Sequence, residues 1–186
     1  MNDQEAIQTL LTIGVEKFKM QDFVGAIKDF TLVTLLDEKN TLAFTLLGSA
    51  KVKSKDYAGA VEAFNKAILL NPTDVKLFNL RSFAKGCLGD HHGSIADITK
   101  FITQFPNDFV SYFSRGMGKD KIGDTSGAIA DYDKAISINS SAHEVYYNRG
   151  FSRLKIGDKQ GACADWKKAS HLGFKKADEA LGKYCQ

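Results

Sequence analysis

The side chains best suited to catalysis or metal binding are three cysteines and four histidines. None of them stands at the spacing that either function requires. Cys87, His91 and His92 come nearest to a metal-ligand set. Adjacent histidines point in different directions on a helix and a turn separates them from Cys87, so we expect no metal there. No glycine stretch follows the GxGxxG or GxxxxGK[ST] pattern that cradles phosphate. We therefore predict a protein that is not an enzyme and holds no cofactor.

The cysteines also bear on the cellular compartment. Cys87, Cys163 and Cys185 are odd in number and widely separated, which fits neither a complete disulfide framework nor a zinc site. We expect reduced thiols, with Cys163 serving as a small apolar core residue. The start, MNDQEAIQTLL, is acidic where a secretory signal is basic, and apolar runs are too short to span a membrane. We expect a cytoplasmic protein, unless a targeting segment has been lost from its start.

Charge is unevenly distributed along the chain. The formal net charge is +3, from 25 Lys and Arg against 22 Asp and Glu. Residues 1–74 carry −2 and residues 75–186 carry +5. The second half is therefore either an ordinary solvated basic face or a surface that prefers an acidic partner.

A 34-residue period tiles the chain from residue 7 onward, without insertion or deletion. The windows are 7–40, 41–74, 75–108, 109–142 and 143–176. One aspartate recurs in every window: Asp22, Asp56, Asp90, Asp124 and Asp158. A glycine follows it three residues later: Gly25, Gly59, Gly93, Gly127 and Gly161. Self-similarity at a fixed period of this length predicts a repeat architecture.

Each window predicts two helices joined by a short turn. Apolar residues recur at helical spacing, as in Phe44, Leu47 and Ala50. Pairs such as Gly123-Asp124 then end one helix and cap the next, because glycine accepts the left-handed conformation and aspartate accepts a backbone N–H. Residues 177–186 continue at helical spacing with charged residues on the other side, which predicts a cap helix.

The repeat resembles the tetratricopeptide repeat (TPR), which has the same period and small and aromatic residues at fixed positions. Each window is numbered from 1 at its first residue. Position 8 is then small, as in Gly14, Gly48 and Gly150, and position 24 is a ring in four windows: Phe30, Phe64, Tyr132 and Trp166. The departures are Val33 and Phe101 at position 27, where bulk predicts altered packing. The resemblance implies an all-α fold, a right-handed α-α superhelix of antiparallel helical hairpins, with residues 1–186 as one domain. The repeat phrasing also suggests a bacterial origin.

Positions 7 and 23 covary within this one sequence. Arginine stands at position 7 only where aspartate stands at position 23, and an arginine at a normally apolar position needs a partner. We predict structural ion pairs, within a repeat or across to its neighbour, among Arg81, Arg115, Arg149, Asp97, Asp131 and Asp165.

The resemblance implies that first helices line a concave groove in which a peptide binds. The residues that the family's chaperone-binding members use to grip a terminal carboxylate are not reproduced here, so we predict no carboxylate clamp. Repeats three to five instead offer rings and a polar, basic rim, which suit an extended or helical peptide with apolar anchors. The predicted groove residues are Lys76, Asn79, Phe83, Phe113, Ser114, Met117, Lys121, Tyr147, Asn148, Phe151 and Lys155.

Two features of this hypothesis stay open at the level of sequence. The rings either line the groove or pack between adjacent first helices. The function is either a protein-binding scaffold or, as alternatives, a homo-oligomer formed through the N-terminal repeat, or an RNA-binding module in the basic half. We favour the scaffold and expect a protein or peptide partner, with no nucleic acid and no membrane. RNA binding is the weaker alternative because no regular pattern of base-reading residues is seen.

Overall fold

The computed structural model describes residues 3–186, which form eleven α-helices and no strand. The helices are α1 (Asp3–Lys19), α2 (Phe23–Leu36), α3 (Thr41–Lys53), α4 (Tyr57–Leu70), α5 (Val75–Cys87), α6 (His91–Gln104), α7 (Phe109–Lys121), α8 (Thr125–Ile138), α9 (His143–Lys155), α10 (Lys159–His171) and α11 (Lys176–Tyr184). They pair in sequence as hairpins one to five, each named by its order, with α11 following the fifth. The prediction of an all-α array of helical hairpins is confirmed.

The turns inside the hairpins form as the sequence predicts. Asp124 caps α8 by accepting the backbone N–H of Gly127 at 2.9 Å, and the aspartates of the other four hairpins make the same contact. Hairpins three to five place glycine in the left-handed conformation just before this aspartate, with φ near +84°. In hairpins one and two the same conformation is adopted by Gln21 and Lys55, with φ of 64° and 67°.

A ring from the second helix lies against a glycine in the first helix of the same hairpin. A Cβ added at Gly48 would lie 2.6 Å from the ring of Phe64, and one added at Gly150 would lie 2.5 Å from Trp166. These glycines are therefore required by close approach of the ring to the backbone. Both rings are fully buried.

Two compact units divide the chain at residues 97 and 98, inside α6. In the first unit the core joins hairpins one and two through residues such as Phe30, Val33 and Leu47. Val33 is fully buried despite its bulk at a position where the family has alanine. In the second unit Phe101 stacks on Phe105 of the following turn, with ring centroids 4.6 Å apart.

The second unit ends in an aromatic cluster closed by α11. Phe151, Trp166, Phe174 and Tyr184 are linked with Tyr147 by ring contacts of 5.0–6.1 Å. The cap helix is present, as predicted, and buries Ala177 and Ala180 against α10.

The expectation of reduced cysteines is wrong for two of the three. Cys163 and Cys185 form a disulfide bond, with their Cα atoms 5.8 Å apart. Their 22-residue separation gave no sign of the pairing, because only the return of α11 onto α10 brings the two thiols together. Cys87 is a free and exposed cysteine.

Candidate functional site

Two stripes of side chains on α7 and α9 contain most of the predicted groove residues of the second unit. Phe113, Met117 and Lys121 are spaced by four on α7, so they share one face of that helix. Tyr147, Phe151 and Lys155 repeat this spacing on α9, and the two helices are in contact. Each stripe therefore runs from apolar side chains to a lysine at the helix C-terminus.

The apolar members of the stripes differ in exposure. Met117 is 38% exposed, whereas Phe113 is half-buried and contacts the ring of Tyr132 at 6.0 Å. Phe151 packs edge-on to Trp166 at 5.0 Å, and Tyr147 contacts Phe174 at the same distance. The two α9 rings thus belong largely to the capped core, and each also leaves part of its surface accessible.

Polar and basic side chains flank the stripes. Ser114 and Asn148 are half-buried, and Asn148 donates its amide to the carbonyl of Glu144 one turn earlier. Lys121 is exposed. The ammonium of Lys155 lies 3.4 Å from Asp120, whose carboxylate also accepts hydrogen bonds from buried groups.

The predicted groove residues of the first unit lie on α5. Lys76 is exposed at the first turn, where its backbone N–H is bound by the capping Asp74. Asn79 is half-buried. Phe83 is 58% exposed and lies edge-on to Tyr57, with centroids 6.5 Å apart.

The predicted arginines and aspartates meet in each of hairpins three to five. In hairpin four, Arg115 donates through Nε and Nη2 to both oxygens of Asp131, at 2.8 and 2.6 Å. Its Nη1 donates to Thr99 of α6, and its guanidinium lies over the ring of Tyr112. The hydrogen bonds to Asp131 raise the pKa of Arg115, so its guanidinium stays charged. The same arrangement recurs at Arg81 with Asp97 and Asn65, and at Arg149 with Asp165 and Asp133.

A second base reaches each of these aspartates, which the sequence interpretation missed. It stands at repeat position 11, one helical turn after the arginine, and Lys119 bonds to Asp131 at 2.9 Å. Hairpin one has this base without any arginine, as Lys17 lies 2.7 Å from Asp29. The remaining pairs are Lys85 with Asp97 and Arg153 with Asp165. The signal was available, because a base occupies position 11 in every window.

Neither a metal centre nor a membrane span is found over residues 3–186. No three His, Cys, Asp or Glu side chains of that range come together as a metal site would require. None of the helices in that range combines the length and apolarity needed to cross a bilayer.

Two stretches of the chain match models of known repeat families. Residues 42–74, which coincide with hairpin two, match a tetratricopeptide repeat model. Residues 121–157 match a second TPR repeat model. This chain is a tetratricopeptide repeat protein. None of the curated protein sequences matches it.

Solved structures of other TPR proteins share the fold over nearly the whole chain. A crystal structure of MamA is 24% identical with a TM-score of 0.86, covering 94% of this TPR protein and 96% of MamA. MamA from Desulfovibrio magneticus RS-1 is 15% identical with a TM-score of 0.87, covering 90% and 95%. YrrB, described as a TPR protein with an unusual peptide-binding site, is 16% identical with a TM-score of 0.81, covering 92% of each chain.

The general class of function follows from the family. TPR hairpins form a non-enzymatic scaffold, and the fold of this TPR protein is consistent with protein–protein interaction. The arrangement fits that class chemically, because it offers partly exposed rings and cations on rigid helices.

Proposed function

We propose that this TPR protein is a non-catalytic scaffold that binds a peptide or protein segment across α7 and α9. The observation that carries the proposal is the pair of adjacent stripes on these two helices. Each presents apolar side chains at a four-residue spacing and ends in a lysine, Lys121 or Lys155. An extended or helical segment would place apolar anchors against Met117 and the accessible edge of Phe113.

The surroundings of the stripes support an acidic flank on the ligand. Lys121 and Lys155 follow the apolar positions by one turn, so a ligand carboxylate beyond the anchors would meet positive charge. Asp120 opposes this at Lys155, which makes Lys121 the stronger of the two contacts. Half-buried Ser114 and Asn148 would hydrogen-bond to the ligand backbone between the anchors.

The test compares protein captured from source-cell lysate by the wild type and by Met117→Glu. Met117 is the right position because its side chain is accessible, whereas replacing Phe151 would damage the Trp166 cluster. Ile156→Glu is the matched control, since Ile156 is 56% exposed in the same unit and lies outside the stripe. A partner retained by wild type and control but lost by Met117→Glu supports the proposal. Equal capture by all three chains contradicts it.

Self-association is a second candidate, favoured by exposed apolar side chains on hairpin one. Leu32, Leu35 and Leu36 of α2 are 48, 72 and 49% exposed, and Ile13 of α1 is 39% exposed. Burying such a face against a second copy would remove apolar surface from water. Light scattering across a hundredfold concentration range (about micromolar to 0.1 mM, where such contacts are populated) tests it. Self-association requires a rising mass that Leu35→Glu abolishes, and a constant monomer mass excludes it.

A further inference from the structure

A pocket of about 500 Å³ lies on hairpin two, between α3 and α4. Phe44, Leu47 and Lys51 of α3 form one wall. Ala63, Asn65 and Lys66 of α4 are among the residues of the other. These positions are distinct from the α7 and α9 stripes, and they lie in the other unit.

The pocket occupies the place that an ion pair fills in hairpins three to five. Leu47 stands at repeat position 7, where those hairpins have arginine, and Ala63 stands at position 23, where they have aspartate. In them the guanidinium covers the ring at position 4, at 5.4–5.5 Å, and the carboxylate lies between two bases. Hairpin two has the corresponding ring, Phe44, but neither charged partner. The pocket therefore lies beside this ring and two aliphatic residues, Leu47 and Ala63, which are 7% and 5% exposed in the core shared with hairpin one.

Lys51 retains the base at position 11 without the aspartate that meets it elsewhere. The corresponding bases of all four other hairpins lie 2.7–3.0 Å from a buried aspartate. The ammonium of Lys51 instead lies 3.4 Å from Asp56, whose side chain is 49% exposed. A contact of that length with a solvated carboxylate is weak. The Lys51 side chain is itself only 22% exposed, so its charge is held at the pocket wall.

We infer that the hairpin-two pocket binds an acidic side chain of a protein segment, whose carboxylate takes the place of the missing position-23 aspartate beside Lys51. Asn65 also lines the pocket, and its amide NH₂ is a hydrogen-bond donor suited to a carboxylate. Phe44 and Leu47 would contact the methylene groups of a glutamate or an adjacent apolar residue. Lys66 adds positive charge at the rim, offset in part by Glu62.

Hairpin one provides a natural model of the filled pocket. It has an aliphatic residue, Ile13, at position 7, and the ammonium of its Lys17 lies in an ion pair 2.7 Å from Asp29. Ala63→Asp would recreate this combination in hairpin two, with Leu47, Lys51 and a carboxylate of the chain itself. The variant should fold, because hairpin one does, and its carboxylate should exclude that of a ligand.

The experiment is an NMR titration of the full-length ¹⁵N-labelled chain with two peptide pools. Both contain acetylated, amidated pentapeptides with Ala, Leu, Ser or Tyr at the outer positions, and the centre is Glu in one pool and Gln in the other. The inference rests on one part of the proposed function, namely that the ligand is a protein segment. It does not require that the segment bind across α7 and α9. Shifts over residues 44–69 report this pocket, and shifts on α7 and α9 report the other surface, so the two can fail separately.

The expected result is saturable chemical-shift changes over residues 44–69. The affinity for the Gln pool should be about tenfold lower than for the Glu pool, the loss expected for a charge-assisted hydrogen bond. Ala63→Asp and Lys51→Met should both abolish them, while Lys53→Met, which changes an exposed lysine on the same helix, should not. Equal response to the two pools, no response to either, or binding that survives Ala63→Asp and Lys51→Met would overturn the inference.

Discussion

Hairpins two and five are both built from a pair of antiparallel helices with a ring packed on a glycine. They differ in the side chains at repeat positions 7 and 23. In hairpin five, Arg149 and Arg153 surround Asp165, which is almost fully buried. In hairpin two, Leu47 and Ala63 replace the arginine and the aspartate, and a pocket remains. The backbone of the repeat therefore does not need the ion pair. Its side chains decide whether the position is occupied from within or is open to a ligand.

The largest effect should come from breaking the pair in hairpin five. Asp165→Ala removes the buried carboxylate that two largely buried guanidinium groups share and leaves them only the exposed Asp133 and Asp158, so the free energy of unfolding should fall by about 3 kcal/mol. Ala63→Asp in hairpin two should lower it by less, about 1–2 kcal/mol, because Lys51 can meet the new carboxylate and offset much of its desolvation at this buried position. Urea denaturation followed by circular dichroism measures both. Losses of similar size would refute the contrast between the two hairpins.

A second difference is that hairpin five has a covalent link, the Cys163–Cys185 disulfide, which joins it to α11. Cys185→Ser should lower the free energy of unfolding by about 3 kcal/mol, as expected for a closed loop of this size. Reductant should have the same effect on the wild type and none on Cys185→Ser, again by urea denaturation. Cys87→Ser is the control, and stability insensitive to reductant would show that the bond does not contribute.

Hairpin four can be converted to the composition of hairpin two. Arg115→Leu/Asp131→Ala removes both partners, and its loss should be about 1–2 kcal/mol, below the roughly 3 kcal/mol of Asp131→Ala alone. The reason is that the single change leaves Arg115 without the carboxylate it binds, whereas the double change replaces both partners with apolar side chains. Denaturation of both variants supplies the comparison. If the double change were the more damaging of the two, the arginine would stabilise the fold independently of the aspartate.

The smallest expected effect lies in the turn of hairpin two. Lys55 adopts the left-handed conformation that Gly157 adopts in hairpin five. Lys55→Gly should therefore raise the free energy of unfolding by about 1 kcal/mol, by removing the strain of a side chain there. Lys53→Gly, inside the α3 helix, should lower it by about 1 kcal/mol. Thermal denaturation of the two variants should move in opposite directions, and a shared direction would contradict this account.

Sequence alone determined the repeat and its local structure. The period fixes the hairpins, the Asp–Gly spacing fixes the helix caps, and the covariation of positions 7 and 23 predicted which charges would require partners. These features are local or periodic, because each hairpin forms from one window and repeats the contacts of the last. The positions of the α7 and α9 stripes were implied by the resemblance to the tetratricopeptide repeat.

Tertiary structure decided the features that depend on how surfaces meet. Phe151 has the spacing of a groove residue, but it packs on Trp166 of its own hairpin, and the return of α11 brings Tyr184 against it. The same return joins Cys163 to Cys185. At Ala63 the sequence records only a small residue. The opening beside it exists because the volume that two side chains fill elsewhere is left unfilled, and volume is a property of packed neighbours that a single chain position does not carry.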